Sequence, residues 1–506
     1  MLVRRQHPYE SISAGSNFAL IWRYQLTESV TKKSFGIGTK LSYGFGSVAY
    51  GVKDNGFGAL LLLFYNQALG LDARLAGFAI AIALVVDAFI DPLIGYASDR
   101  FQSSWGRRHP FMYAAAIPAA LSYAFLFSPP VGLSQTELFV YLLVGAILVR
   151  VFIAIFEIPN ASLISEFTQN YDERTSYLNW RLFFSWMSGL TMSVLAFGIF
   201  LSKGQGPIPG TQVVENYKAY GIAAGSIMLL AMLTSSAGTH HTIPSLKALS
   251  LQNRSDISTG FFKNLRESLS SRSAQINLAI GMSIMLSMGL LGGITPYVYG
   301  YLFVLSPQEI SILYGSGFLS AFFALIFTPY IARYWEKRQA FIVITVAALV
   351  ITPIAALLQL SGVLPKSESV WLIPILFSLS AIGSTFLIVQ STLYFSMSAD
   401  VIEENEVRTG RRNEGVFFAA NIFVRKCATG LGVLLTSTLI TLVGFPEKAI
   451  PGTVPESVIN QLVQFFIISF LILNLVSIAC VLAFKITRSR HAENLAIIES
   501  RRNEIE

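Results

Sequence analysis

Apolar residues gather along this chain into about twelve blocks of about 20, the length that carries an α-helix across a bilayer core. The pattern predicts spanning helices near 41–66, 75–98, 110–132, 138–165, 177–202 and 218–241. A second set lies near 275–303, 309–333, 339–361, 370–397, 414–444 and 458–485. The chain therefore reads as an all-α polytopic membrane protein built as two six-helix bundles. Its expected divisions are a tail (1–40), a first bundle (41–243), a polar central loop (244–274), a second bundle (275–485) and a second tail (486–506). Composition agrees, with 53% of residues hydrophobic and 13% charged.

Charge placement then orients the predicted spans. Lys and Arg crowd onto the side that holds both tails and the loops after helices 2, 4, 6, 8 and 10. The opposite side has Arg74, Lys203, Lys218, Lys366 and Lys448. This asymmetry places both termini in the cytoplasm of a plasma-membrane protein. It also accounts for the net charge of +7 without a nucleic-acid partner. The first forty residues have no apolar core followed by a small-residue cleavage site, so they do not read as a signal peptide. The two cysteines, Cys427 and Cys480, fall inside predicted spans, and no Cys/His cluster has metal-site spacing.

The candidate chemistry lies in charges set inside the apolar blocks. Asp87 and Asp91 in helix 2 are four residues apart, hence stacked on one helical face, where they repel each other unless a cation sits between them. Acids at membrane depth cost a few kcal/mol each on insertion scales, and they are kept where they bind or move something charged. Helix 1 adds Lys53 and Asp54, and helix 5 adds Arg181. Helix 4 carries Arg150 and Glu157 on one face, a spacing that lets them neutralise each other. The second half offers no deep acid but has Arg425 and Lys426 on helix 11, with Tyr297, Gln390 and Asn421 as candidate cavity-lining positions. The five histidines lie in tails or at helix ends, so proton chemistry at depth falls to the carboxylates.

An internal repeat supports the two-bundle reading. The loop after helix 2, with Asp99, Arg100, Gly106, Arg107 and Arg108, has a degenerate counterpart after helix 8, TPYIARYWEKRQAF. The arginines of the first loop are expected to pair with acids across the interface between bundles as a gate. Asp400 and Arg411, in the charged run that follows helix 10, are expected to form a similar network. Two related bundles around a midplane site is a design used by alternating-access transporters.

Four motifs carry a family resemblance: KLSYGFG (Lys40–Gly46), D-A-x-x-D-P-L-x-G (Asp87–Gly95), W-G-R-R-H-P-F (Trp105–Phe111) and A-D-V-I-E-E-N-E-V-R-T-G-R-R-N-E-G (Ala399–Gly415). Together they resemble the glycoside-pentoside-hexuronide:cation symporters, the melibiose-carrier branch of the major facilitator superfamily. The resemblance implies a major facilitator fold and cation-coupled symport of a sugar or glycoside. It also implies cation binding at Asp87 and Asp91, joined by Asp54, and substrate binding at these two acids with Glu157, Arg181 and Lys426. The chain departs from the melibiose-like pattern in three places. An ungapped count puts the helix 1 acid on Gly51, with Asp54 one turn later. Ala161 stands where those carriers have a Trp, and Ala154 stands where they have a hydroxyl that helps hold sodium.

The last departure favours a proton over sodium as coupling ion, and no cofactor is expected. The loss of the aromatic leaves open a uronide, or an amphiphile as in the lysolipid-carrying relatives of the family, beside a neutral glycoside. The competing reading, an intramembrane prenyltransferase, needs a second D-x-x-x-D motif near the cytoplasmic face, and no span has one.

Overall fold

A computed structural model describes residues 36–168, 170–206, 208–244, 270–365, 369–410 and 414–503. The first helix, α1, starts as Ile37–Phe45, continues as Ser47–Asn55 and passes through wide turns at Gly56–Leu60 and Phe64–Ala68. Then come α2 (Ala73–Arg100), α3 (His109–Leu126), α4 (Gln135–Phe167), α5 (Tyr171–Gly198) and α6 (Val214–His240). The second half holds α7 (Arg272–Tyr297, extended by a wide turn at Val298–Leu302), α8 (Pro307–Tyr334), α9 (Lys337–Leu360), α10 (Leu372–Thr409), α11 (Glu414–Leu442) and α12 (Glu456–Leu482). A final helix, α13 (Arg488–Asn503), follows. Among the described residues, ten of these helices are long and apolar enough to cross a membrane.

Local chemistry sets the helix ends. The Asp72 carboxylate accepts from the backbone N–H groups of Arg74 and Leu75 at 2.8 and 3.2 Å and so starts α2. Ser306 and Glu309 close a capping box at the start of α8. Gly410, at φ +67°, ends α10. Helix α10 runs three turns past the apolar block that predicted it, and α13 occupies most of what was read as a tail. The polar stretch 244–274 lies largely outside the described residues.

The two halves repeat one packing plan. In the first, α1 packs on α5 and α6, α2 on α4, and α3 on α4 and α6. In the second, α7 packs on α11 and α12, α8 on α10, and α9 on α10 and α12. The halves meet along α2 with α11 and α5 with α8, again a related pair.

Among the described residues, the contacts joining the halves run from mid-membrane to the end opposite the termini. There Tyr297 OH donates to Asn66 Oδ1 at 2.8 Å and Tyr301 OH to Gln67 Oε1 at 2.9 Å, while Gln67 Oε1 also accepts from Ala449 N at 2.9 Å. Ser311 donates to Val194 O at 2.8 Å, tying α8 to α5. Nearer the termini Leu182, Phe183 and Trp186 of α5 and Phe322 of α8 are exposed. Among the described residues, hydrogen bonds between the halves gather at the far end.

Close helix crossings need small residues. A Cβ on Gly51 of α1 would lie 2.0 Å from Ser185 O of α5, whereas one on Gly58 meets nothing within 4 Å. Overpacking of this kind costs about 1–3 kcal/mol. We expect Gly51→Ala to lower the melting temperature of the purified protein and Gly58→Ala to leave it nearly unchanged. Equal melting temperatures would show that the α1–α5 crossing is not as tight as described.

Candidate functional site

Charged side chains from five helices cluster at mid-membrane. Asp87 and Asp91 stand one turn apart on α2, with Pro92 behind them, and face α11. Lys426 of α11 reaches both, with Nζ 2.9 Å from Asp87 Oδ2 and 2.5 Å from Asp91 Oδ2. This ammonium joins the two halves at the middle of the α2–α11 contact. Asp87, 3% exposed, has a second partner in Arg150 of α4 at 2.9 Å, whose guanidinium lies 4.5 Å from the Phe57 ring centre. Asp91 pairs only with Lys426 among the described residues, and its Oδ1 is buried without a hydrogen-bond partner.

Glu157 of α4 pairs with Arg181 of α5, which also donates to Tyr43 OH at 3.4 Å. The same-helix pair that the spacing of Arg150 and Glu157 allows does not form. Their i, i+7 spacing separates them by about two turns, and each finds a closer partner on a neighbouring helix. Glu157 Oε2 is buried without a hydrogen-bond partner. On α1, Lys53 and Asp54 pair at 2.7 Å, with the Asp54 side chain 53% exposed. Gly51 is wedged against α5, so no acid fits there, and Asp54 is the carboxylate α1 presents.

Three candidates lie away from this cluster. Tyr297 belongs to the seal through Asn66. Gln390 donates to Thr345 Oγ1 at 2.9 Å and Asn474 Oδ1 at 3.2 Å inside the second half. Asn421 exchanges hydrogen bonds with the Tyr394 hydroxyl. Each is a buried polar group satisfied within the fold, the usual requirement in a packed interior.

The loop charges brace single halves rather than bridging the two. Arg108 pairs with Asp99 at 2.5 Å and with Glu166 of α4 at 3.1 Å, Arg107 pairs with Glu166 at 2.8 Å, and the Arg100 guanidinium stacks 4.0 Å over the Tyr96 ring. Gly106 supplies the positive φ of +77° that turns the chain toward α3. In the second half Lys337 pairs with Asp400 at 2.6 Å, and His491 of α13 sits 2.6 Å from Glu403. Among the described residues, each of these pairs lies within one half. Arg411 lies outside the described residues.

The sequence reading missed two residues in particular. Glu166 closes the brace at the end of α4, and a carboxylate just past the last apolar turn was its only signal. Tyr50 faces the cluster from α1, with the Lys53 ammonium 4.2 Å from its ring centre. It stands among Asp54, Glu157, Asp87 and Arg425. An aromatic one turn before Lys53 was the available clue.

The pairing ranks the acids. Asp87→Asn strips one of two cations' partners from a fully buried site and should cost about 3–5 kcal/mol. Asp91→Asn leaves Lys426 still paired with Asp87 and should cost on the order of 1 kcal/mol. In a double-mutant cycle of melting temperatures, Asp91→Asn should recover part of the loss caused by Lys426→Ala. Strictly additive effects would mean that the two side chains are not coupled.

Comparison with known proteins places this geometry. A family model described as MFS/sugar transport protein matches residues 42–488. An uncharacterized symporter of Synechocystis is 26% identical, covering 84% of this chain and 89% of the relative. A putative glycoside/cation symporter of Escherichia coli is 25% identical over 81% of this chain and 84% of its own length, and the isoprimeverose transporter of Lactiplantibacillus pentosus 23% over 80% of each. Among solved structures, a bacterial homologue of the human lysosomal transporter Spinster, inward-facing and unoccupied, matches with a TM-score of 0.56 at 15% identity, covering 88% of this chain and 96% of that one. A bacterial homologue of the human drug peptide transporters matches at 0.58 and 12%, covering 92% and 99%. With a twelve-helix body in two related halves and a family match over almost its whole length, this chain is a multi-pass membrane transporter belonging to the MFS/sugar transport family of the major facilitator superfamily.

Proposed function

We propose that the protein is a plasma-membrane symporter that couples entry of a sugar or glycoside-type solute to a proton, with both termini in the cytoplasm. On this orientation the far-end hydrogen bonds form the outer seal. The observation that carries the reading is Lys426, held by Asp87 and Asp91 across the two halves while Asp91 Oδ1 stays buried and unpartnered. A proton on Asp91 cancels half of the charge that holds the ammonium. A solute lying among Glu157, Arg181 and Tyr50 then has a site whose partners have been loosened. Ligands shift such an equilibrium only through different affinities for its two states, and the Lys426 bridge is the contact that differs.

Proton coupling is preferred over sodium because the acids are surrounded by nitrogen donors and apolar groups. Ala154, buried on α4, has no oxygen to offer a metal ion. The relatives named as glycoside/cation symporter and isoprimeverose transporter support a saccharide. The exposed aromatics Phe183 and Trp186 of α5 and Phe322 of α8 favour, as a second reading, an amphiphile such as a lysolipid.

Proteoliposomes separate these readings. An imposed pH gradient should drive saccharide accumulation without sodium, a protonophore should abolish it, and Asp91→Asn should lose accumulation while staying folded. Uptake that requires sodium at constant pH and ignores the protonophore would refute the proton. Tight lysolipid binding without a response to any saccharide would refute the sugar.

A further inference from the structure

We propose that Asp400 and Glu403 of α10, together with His491 of α13, form a binding site for a divalent transition-metal ion of the zinc class, which clips α13 to the second half. The site lies at the termini end, apart from the midplane cluster, and does not depend on which solute is carried. Asp400 and Glu403 are three residues apart and so share one face of α10. Helix α13 packs against α10 and brings His491 Nδ1 to 3.5 Å from Asp400 Oδ1 and 2.6 Å from Glu403 Oε2. One donor atom from each of the three side chains lies within 4.8 Å of the other two.

Three observations favour an ion over a plain salt bridge. Glu403 Oε2 and His491 Nδ1 are both buried and neither has a hydrogen-bond partner, although they lie 2.6 Å apart. Their approach lacks the direction of a hydrogen bond, and a cation shared by both atoms supplies what is missing. Asp400, 3% exposed, is also held by Lys337 Nζ at 2.6 Å. An outer partner of this kind orients a ligating carboxylate, whose remaining lone pairs stay available to an ion. Asn494, one turn beyond His491 on the same face of α13, is 2% exposed with its Nδ2 unpartnered. A half-turn about its terminal torsion offers the ion an amide oxygen as a fourth donor.

Zinc sits about 2.0–2.2 Å from nitrogen and oxygen ligands, which spaces tetrahedral donors about 3.3–3.5 Å apart. The His491–Asp400 separation already has that value. Glu403 reaches it by drawing back less than about 1 Å, a small rotation of a side chain with three free torsions. One imidazole with two carboxylates suits zinc, manganese or cobalt, whereas magnesium and calcium prefer an all-oxygen shell. The Glu403 and His491 side chains are 26% and 30% exposed, so water can complete the shell and the ion has an entry path. Lys337 offsets one of the two carboxylate charges, which makes the affinity moderate. Spacing motifs miss such a site because its ligands come from helices far apart in sequence.

The rest of α13 is tied to backbone. Arg488 donates to Ala332 O at 2.7 Å at the end of α8, and Arg501 donates to Val407 O at 2.9 Å near the end of α10. An ion at His491 turns a helix held by hydrogen bonds into one cross-linked to α10.

The test uses the full-length protein in detergent, with any purification tag removed, stripped with EDTA and desalted. Calorimetric titration with Zn²⁺ should show one site per chain with micromolar affinity. Hydrogen exchange should slow in α13 and the last turns of α10 when Zn²⁺ is added, and Mg²⁺ should have neither effect. His491→Ala and Glu403→Gln should each weaken Zn²⁺ binding roughly 10- to 100-fold, and His491→Cys, which supplies a thiolate in place of the imidazole, should restore it. No Zn²⁺ binding by wild type, an equal response to Mg²⁺, or affinity unchanged in both weakening variants overturns the assignment. Protection of α13 that EDTA leaves in place and Zn²⁺ does not increase marks an ion-pair network only, and overturns it too. The wild-type exchange map decides the question even if a variant does not fold.

Discussion

One ammonium group holds the middle of this molecule together. Lys426 is placed by α11 between two stacked carboxylates of α2, and it is the charge that the second half contributes to the acids of the first. Without it, Asp91 would be an unpaired buried carboxylate and Asp87 would depend on Arg150 alone. Because the contact joins the halves at mid-membrane, its strength would, on the proposed mechanism, set how readily they separate on one side or the other. A buried ion pair is a weak source of stability, since desolvation consumes most of the attraction. Its value here is that it is easily biased: a single proton or counter-ion changes it by several kcal/mol.

The two ends of the transporter are held in different ways. The far end is closed by uncharged groups, in which amide side chains of α1 meet phenols of α7 and the backbone after α11. The termini end is organised, among the described residues, by ion pairs each inside one half, through Glu166 at the end of α4 and Asp400 inside the last turns of α10. Neutral hydrogen bonds between halves break without leaving a charge behind, so they suit a seal that opens repeatedly. Ion pairs within a half keep loop geometry fixed while the half moves as a unit.

Much of this architecture is legible in the sequence. Block length and hydropathy located the helices, because every spanning helix must satisfy its own backbone in lipid. The acids, Arg181 and Lys426 stood out because a charge inside such a block is rare. Partner choice was not legible: helical periodicity says which face Arg150 occupies, and not that Asp87 on another helix lies nearer than Glu157 on its own. The polar residues Tyr297, Gln390 and Asn421 looked like cavity lining because a hydrogen-bonding side chain in an apolar run looks the same whether it meets substrate or another helix. The extension of α10 and the presence of α13 were hidden for the opposite reason, since amphipathic helices beyond the bilayer lack the apolar block that marks a span.

The wide turns at the far ends of α1 and α7 have a consequence for how such a protein changes over time. Each is equivalent to one extra residue absorbed without breaking the helix, and turns of this kind gather at functional places. In α1 the two wide turns lie beyond Lys53 and Asp54 and include Asn66 and Gln67. In α7 the wide turn follows Tyr297 and includes Tyr301. Gaining or losing a residue there rotates the sealing tip by about a quarter turn or more, while everything below it keeps its register. The lock on the far end can therefore be recut by insertion and deletion while the charge cluster, on the same helix, stays in place.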